Sequence, residues 1–348
     1  MAASSVTGTT VRPRGGDAVR AFISKYGLIV LLAALPVYFG IKDLADDGNL
    51  VRLGDNLVDG LSNGAIYALI ALGYTMVYGV LRLINFAHGD VYMLGAFAGY
   101  FLANALNLDA SPSILGAIAV TLGAMTICGG IGVLIERFAY RPVRHHSRLT
   151  ALITAIGVSL LLEYGGQVVF GANPRFFPQM IRAEVYSVGG VQITNQNLLI
   201  IVVAIVMMFG LEFIVHRTRI GKAMRATSFN LSVAKLMGIN TDYVIAFTFA
   251  LGSALAAVGG VMVALAIPRI DPLMGLMTGL KAFVAAVLGG IGNIPGAMIG
   301  GVLIGLLETW LGATAYSTYR DAAAFAVLIL ILLFRPAGIL GTATVEKV

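Results

Sequence analysis

The sequence is poor in cysteine and in charged residues, and each shortage excludes a class of protein. Its one cysteine, Cys128, has no partner for an intrachain disulfide or a thiolate metal site. Only 11% of the residues are charged, too few to cover a chain of this length with a hydrated surface. The chain is therefore neither an ordinary soluble protein nor a disulfide-rich one.

Motifs for nucleotide binding and catalysis are also missing. The chain contains no G-x-x-x-x-G-K-[ST] motif, and the segment GGIGNIPG at Gly289–Gly296 does not follow G-x-G-x-x-G. His88 has no second ligand at a metal-binding spacing, and no nucleophile stands at a recognisable spacing from a base. We therefore predict that the chain is not an enzyme, with no catalytic residue, no metal and no cofactor of its own.

Apolar residues dominate what is present. They make up 58% of the chain, and the mean hydropathy is +0.90. They occur in continuous runs of roughly 20 residues, the length of a transmembrane helix. Continuous runs favour helices over the alternating strands of a membrane barrel, so we predict an all-α fold, a polytopic transmembrane helix bundle. Basic residues beside the spans then explain the net charge of +6, and nucleic acid is not an expected partner.

The apolar runs divide the chain into ten candidate spans. We expect eight to ten complete spans, because the glycines and Pro295 within residues 289–296 are typical of broken or re-entrant helices. Residues 1–21 are predicted to be a disordered cytoplasmic tail, 22–338 the transmembrane domain and 339–348 a second cytoplasmic tail. The candidate spans are residues 22–41, 57–80, 89–106, 113–135, 150–170, 197–215, 243–267, 273–292, 294–311 and 321–334.

The distribution of basic residues predicts the orientation. Loops 136–150 and 217–242 each contain four or more Lys and Arg residues against a single acidic residue. Both are therefore expected on the cytoplasmic side. Alternation of the spans then places both chain termini in the cytoplasm and the long loop 171–196 on the outside.

Loop 217–242 is the segment that points most directly to function. Its residue spacing predicts one amphipathic helix that ends at Gly238. Such a helix can transmit force between a membrane domain and a soluble partner. The alternative is an interfacial helix resting on lipid headgroups. Its apolar stripe contains Ala226, Phe229, Val233, Leu236 and Met237, and its polar stripe contains Lys222, Arg225, Ser228, Ser232 and Lys235.

Polar residues within or beside apolar spans are candidates for a transport path, because each costs free energy unless it is paired or hydrated. Asn63 and Tyr67 lie in the second candidate span, and Asn85, His88 and Asp90 lie where it meets the third. The competing interpretation of that junction is an ordinary turn in which Asn85 or Asp90 caps a helix.

Two further patterns concern packing. Glu163, Lys281 and Glu308 stand alone in apolar stretches, where a charged residue is more typical of an interhelical pair than of a substrate ligand. Small residues at four-residue intervals predict helix faces that approach closely. These are Gly252, Ala256 and Gly260, together with the pairs Gly95 and Gly99, Gly296 and Gly300, and Gly301 and Gly305.

Four blocks of the sequence are informative when taken together. They are DGLSNGAIYALIALGYTMVYGVLRLINFAHGDVYMLGAF (59–97), RPVRHHSRLTALITAIGVSLLLE (141–163), GKAMRATSFNLSVAKLMGIN (221–240) and GLKAFVAAVLGGIGNIPGAMIGG (279–301). In this order the blocks resemble one family, the LivH-type permeases of branched-chain amino acid ABC importers. The resemblance extends over roughly residues 56–338.

The resemblance implies a permease in a bacterial inner membrane, surrounded by lipid and paired with a LivM-type permease. It implies two ABC ATPase subunits, which use ATP, and an extracytoplasmic amino-acid-binding protein. The stretch ATSFN lacks the acidic residue of the best-known ABC coupling motif. Residues implied to couple to an ATPase are Gly221, Lys222, Arg225, Ala226, Asn230, Ala234 and Gly238.

The expected mechanism under this resemblance is alternating access, in which closure of the ATPases moves the coupling segment and rocks groups of spans. A path for Leu, Ile or Val needs a few polar groups and otherwise apolar walls, which suits the polar residues of the second and third spans. The alternatives are an ABC permease for urea, short amides or aromatic acids, and an ATP-independent secondary transporter or channel. A membrane enzyme is disfavoured by the missing catalytic residues.

Overall fold

The computed structural model describes residues 34, 36–45, 48–144 and 146–341. These residues form a helical bundle with two small antiparallel strand pairs. Residues 36–45 are helical. The helices that follow are α1 Val51–Leu81, α2 His88–Ala105, α3 Ile114–Ile135, α4 Arg141–Val143, α5 Arg148–Phe170, α6 Asn195–Arg217, α7 Arg219–Phe229, α8 Leu231–Leu236, α9 Thr241–Ala266, α10 Met274–Gly289, α11 Ile294–Gly312 and α12 Arg320–Phe334.

The predicted polytopic helical fold is confirmed. Seven helical stretches of the described chain are long and apolar enough to cross a membrane, and one of them joins α3 to α4 through a π-helix at Glu136–Tyr140. The 18-residue α2 and the 16-residue α10 bring the bundle helices of this part of the chain to nine. The predicted span 22–41 lies mostly outside the described residues, as do tail 1–21 and residues 342–348.

Helices α1 and α9 form the centre of the bundle. The most apolar stretch of each is 78% buried, whereas the same measure is 22% for α5 and α6 and 17% for α12. Small residues allow the central contacts. A Cβ atom at Gly260 would lie 2.2 Å from the carbonyl oxygen of Tyr92, and one at Gly301 would lie 2.5 Å from the backbone of Ala68. The glycine spacing therefore marks packed faces, as predicted.

The segment predicted to be broken is a turn between two packed helices. Helix α10 ends at Gly289 and α11 begins at Ile294, and a Cβ atom at Gly289 would lie 2.0 Å from the carbonyl oxygen of Gly296. Gly290 and Gly292 have φ values of 105° and 95°, which favour glycine. With only 16 residues, α10 is shorter than the roughly 20 residues of a full span. The expectation of an interruption here is confirmed.

The long loop 171–196 folds into strands, which the sequence did not predict. Strand β1 Arg175–Phe176 pairs with β4 Arg269–Ile270, and β2 Val185–Val188 pairs with β3 Val191–Thr194. The β2–β3 hairpin is tied to α1, because Asp55 accepts a hydrogen bond from the backbone of Gln192 at 2.7 Å. The loop therefore covers one end of the bundle. The 23-residue α6 separates this end from α7 and α8 at the other.

Candidate functional site

Residues 217–242 contain two short helices, so the prediction of one continuous helix is wrong. Helix α7 ends at Phe229 and α8 begins at Leu231. Between them Asn230 has extended backbone angles, and its side-chain oxygen accepts hydrogen bonds from the backbone of Ser232 and Val233 at 3.0 Å. An asparagine that caps a second helix interrupts the first. The residue spacing alone did not reveal this break.

Helix α7 is fixed where it leaves α6. The Thr218 hydroxyl accepts a hydrogen bond from the backbone of Gly221 at 3.1 Å and caps the helix. Gly221 lies so close to α6 that a Cβ atom there would be 2.2 Å from the carbonyl oxygens of Ile214 and Val215. The Arg225 guanidinium donates to the same Val215 carbonyl. Gly221 and Arg225 therefore hold α7 against the end of the membrane helix.

The two short helices turn their largest apolar side chains away from the bundle. Phe229 is 91% exposed, Leu236 is 86% exposed and Met237 is 77% exposed, and Val233 beside them is half exposed. We call these four residues the apolar ridge. The face against the bundle consists of Gly221, Met224, Thr227 and Ala234. An exposed apolar surface of this kind is typical of a contact with another protein or with lipid.

The predicted coupling residues divide between the two faces. Gly221 and Ala234 are buried, and Ala226 is half-buried. Gly238 follows α8 with a φ value of 82°, which confirms it as the residue where the helical segment stops. The exposed members of the set are Lys222, Arg225, Asn230 and Gly238.

A cavity of about 910 Å³ lies between α7 and the bundle. Met224 and Arg225 line it on the side of α7, and Arg82, Phe283 and Pro295 line it on the side of the bundle. The cavity separates Met224 and Arg225 of α7 from Arg82 at the end of α1 and Phe283 of α10.

A network of charged residues holds the start of α9 at the same end. Arg144 pairs with Asp242 of α9 and lies 3.9 Å from Glu136, whose side chain is fully buried. Arg141 also pairs with Glu136, at 2.8 Å. In the sequence, these arginines were informative only as basic residues that indicate orientation. Their role as a link between the end of α3 and α9 was not predicted.

The first two predicted path residues lie beside a compensated group of charges. Tyr67 donates a hydrogen bond to Glu308 at 2.5 Å. Lys281 lies 2.7 Å from Glu308 and 2.7 Å from Asp321. We call Tyr67, Lys281, Glu308 and Asp321 the Lys281 cluster; Asn63, one turn away, donates to Thr309 at 3.1 Å. The predicted interhelical pairing of Lys281 and Glu308 is confirmed.

The other three predicted path residues lie in a second buried group. Asn85 accepts a hydrogen bond from Tyr140 at 2.9 Å, and His88 packs edge-on against Tyr74. Asp90 accepts a hydrogen bond from Ser159 of α5. The interpretation of Asn85 or Asp90 as a helix cap is wrong, because α2 has Ala87 at its N-cap without any side-chain cap.

Comparison with known proteins assigns the family. Residues 56–333 match the sequence model described as the branched-chain amino acid transport system permease component. The chain belongs to this permease family.

Two relatives are similar to the chain over almost their whole lengths. The permease is 44% identical over 299 residues to the high-affinity branched-chain amino acid transport system permease protein BraD of Pseudomonas aeruginosa, covering 84% of this chain and 97% of BraD. It is 44% identical over 298 residues to LivH of Escherichia coli K12, covering 84% and 96%. The structure of PsaBC from Streptococcus pneumoniae in complex with Fab aligns with 85% of this chain and 95% of that chain, at 13% identity and a TM-score of 0.42.

Within the permease, the structure separates the five predicted path residues into two groups. Asn63 and Tyr67 lie on α1, whereas Asn85 lies in the loop before α2 and His88 and Asp90 lie on α2. The partners that complete those groups could not be read from the sequence, because they are distant along the chain. Tyr140 binds Asn85, Ser159 binds Asp90 and Asp321 binds Lys281. Asp90 and Glu163 were both recognised as polar residues in apolar surroundings. No sequence signal indicated that α2 and α5 are neighbours, which the hydrogen bond from Ser159 to Asp90 shows. Whether any of the five contacts substrate stays a prediction.

Proposed function

We propose that this permease is a membrane subunit of an importer that moves leucine, isoleucine or valine into a bacterial cell. The observation that supports this most is the identity of 44% to BraD and LivH over almost their whole lengths. Those relatives are named as permeases of high-affinity branched-chain amino acid transport systems. The remaining subunits would be a LivM-type permease, two ABC ATPases and an extracytoplasmic binding protein.

The apolar ridge is the proposed contact with an ATPase. Its side chains are exposed at the end of the bundle where the basic loops lie, and the positive-inside rule places that end in the cytoplasm. An ATPase would bury Phe229 and Leu236 and be steered by Lys222 and Lys235 beside them. ATP would act on that partner, since this sequence has no P-loop motif.

The proposed mechanism is alternating access. Closure of the ATPases would push α7 and α8, and the close contact of Gly221 and Arg225 with the end of α6 would carry this movement into the bundle. The opposite end, covered by the β2–β3 hairpin, would face the binding protein outside an inner membrane, with both chain termini in the cytoplasm. Helices α5 and α12 expose apolar faces that would meet lipid or the second permease.

Reconstitution tests this function. The permease, a LivM-type partner and both ATPases are placed in vesicles with the binding protein, and uptake of radiolabelled leucine is measured. Accumulation is expected only when ATP is supplied. Uptake by this chain alone without nucleotide would contradict the proposal in favour of a secondary transporter or channel. Transport of urea, a short amide or an aromatic acid in place of leucine would correct the substrate.

A substitution in the ridge tests the ATPase contact. Phe229→Asp places a charge in the ridge. Removal of an aromatic anchor that a partner buries typically weakens an interface by about 2 kcal/mol or more. Loss of ATPase co-purification and of uptake is expected, with unchanged thermal stability because the side chain is exposed. Val188→Asp makes the same change on the β2–β3 hairpin, where Val188 is 64% exposed. Equal behaviour of the two variants would contradict the assignment.

A further inference from the structure

Two acidic side chains lie at the contact between α2 and α5 without a basic partner among the described residues. Asp90, on the first turn of α2, is 1% exposed, and one of its carboxylate oxygens accepts the hydrogen bond from Ser159. The other oxygen has no hydrogen-bond partner among the described residues. Glu163 lies one turn beyond Ser159, on the same face of α5 that meets Asp90, and is 6% exposed. We call Asp90, Ser159 and Glu163 the Asp90 cluster.

Within the described chain, this arrangement leaves two buried carboxyl groups without a compensating cation. None of the ion pairs found in the described part of the chain involves Asp90 or Glu163. A carboxylate within a membrane protein costs several kcal/mol unless it is paired or hydrated. A cluster that keeps two carboxylates and an unused oxygen in such a place is suited to receiving a positively charged group from elsewhere.

The contact between α2 and α5 changes from polar to apolar along its length. Beyond the Asp90 cluster, the Met93 side chain lies against Gly166, where an added Cβ would be 3.2 Å from the methionine methyl group. One turn further, Phe97 and Phe170 stack with ring centroids 4.4 Å apart. A negatively charged end followed by an aromatic and aliphatic wall matches an amino acid with a positive ammonium group and an apolar side chain.

Helix α5 is the element able to open this contact. It packs mainly on α2 and on residues 136–143, and its outer face is exposed, with Leu161 at 69% and Val168 at 86%. Because α5 is bound to the bundle on one side only, a small displacement from α2 exposes the Asp90 cluster and the apolar wall together. Alternating access requires such a displacement of outer helices.

We infer that Asp90 and Glu163 receive the ammonium group of the transported amino acid, with the Ser159 hydroxyl holding Asp90 in position. The Met93, Phe97 and Phe170 side chains then contact its apolar tail. This inference rests on the proposed function, and it adds Ser159, Glu163 and the apolar wall to the path. A zwitterion paired in this way crosses with its positive charge compensated by the permease.

Binding to the complete solubilised transporter, without the binding protein, tests the inference. Retention of radiolabelled leucine is measured with and without a non-hydrolysable ATP analogue. Leucine and isocaproate, its analogue without the amino group, are used as competitors. The intact transporter is expected to prefer leucine by about tenfold or more, the effect of about 1.4 kcal/mol. Asp90→Asn and Glu163→Gln are each expected to remove this preference, and Asp90→Glu to keep most of it.

Glu212→Gln provides the matched control. It makes the same carboxylate-to-amide change on α6, where the side chain is 37% exposed and pairs with His216, and leucine binding is expected to be unchanged. Elution as an intact assembly shows that each variant is folded, and Glu163→Gln decides the result if Asp90→Asn fails to assemble. A preference for leucine that survives in both neutralised variants overturns the inference.

Two other results also overturn it. The first is equal competition by leucine and isocaproate in the intact transporter. The second is an intact transporter that binds an inorganic cation and retains no leucine. The proposed function fails separately, when the intact reconstituted transporter imports no branched-chain amino acid. Import by the intact transporter together with unchanged import by both neutralised variants contradicts the role of the Asp90 cluster alone.

Discussion

The Lys281 cluster and the Asp90 cluster each contain two carboxylates, yet they differ in compensation. Lys281 bridges Glu308 and Asp321 at 2.7 Å each, so positive charge stands between the acids. In the Asp90 cluster, the described residues supply a hydroxyl and no cation. Compensation indicates a structural link among α10, α11 and α12, whereas its absence indicates a site that acquires its partner during function.

The largest expected effect comes from removing the cation of the Lys281 cluster. Lys281→Met removes the cation nearest to Glu308, which keeps a longer contact with Arg320 at 3.9 Å. Breaking a buried pair typically costs about 3–5 kcal/mol, and we expect a loss toward the lower end of that range. A large fall in the thermal stability of the purified permease is expected, measured by the loss of its size-exclusion peak after heating. Wild-type stability in this variant would remove the structural role of the cluster.

The second effect concerns the packing that supports the Asp90 cluster. A Cβ atom at Gly73 would lie 2.2 Å from the His88 ring, two residues before Asp90. Gly73→Ala therefore forces α1 and α2 apart, and overpacking of this kind typically costs about 1–3 kcal/mol. The same heating assay should show an intermediate loss of stability. Gly130→Ala on α3, where nothing lies within 4 Å of an added Cβ, is the matched control and should show none.

The third prediction separates the two acids that Lys281 binds. Asp321 is 48% exposed while Glu308 is 14% exposed, so water screens the outer pair more strongly. Asp321→Asn is expected to cost about 1 kcal/mol or less, well below the cost of Lys281→Met. Comparable losses in the two variants would show that Asp321 is the main partner and Glu308 a minor one.

The smallest expected effect on stability concerns the Asp90 cluster and distinguishes it most directly from the Lys281 cluster. Asp90→Asn and Glu163→Gln each remove one of two uncompensated charges, so thermal stability should stay within about 1 kcal/mol of the wild type or rise slightly. Leucine uptake by the reconstituted transporter should nevertheless fall. A large loss of stability in either variant would place the Asp90 cluster with the Lys281 cluster as a structural element.

The local patterns in the sequence predicted most of the bundle. Long apolar runs corresponded to helices, the small residues at Gly260 and Gly301 marked packed faces, and Gly238 marked the end of the segment that follows α6. Lys281 and Glu308 were also predicted to pair. Each of these follows from composition or from spacing within one helix, and the cost of leaving a charge unpaired in an apolar helix holds in any fold.

The candidate site was predicted less completely. The stripe of Phe229, Val233, Leu236 and Met237 was visible in the sequence, but its outward direction depends on how α7 docks under α6 through Gly221. The break at Asn230 escaped notice because an asparagine in a helical pattern is ambiguous until its side chain finds a backbone partner. The interpretation of Asn85 or Asp90 as a cap failed because both side chains bind residues distant in sequence.

Local sequence patterns alone indicated a helical membrane bundle, the residues of its packed faces and the segment that carries an amphipathic surface. Hydrophobicity and helical period are properties of consecutive residues, so they need no knowledge of distant contacts. The packing of distant segments was needed to show that Lys281 is shared by two acids, that Asp90 binds Ser159, and that the ridge faces away from the bundle. Those outcomes depend on which helices become neighbours, because a buried charge is stabilised or left uncompensated by the groups packed around it.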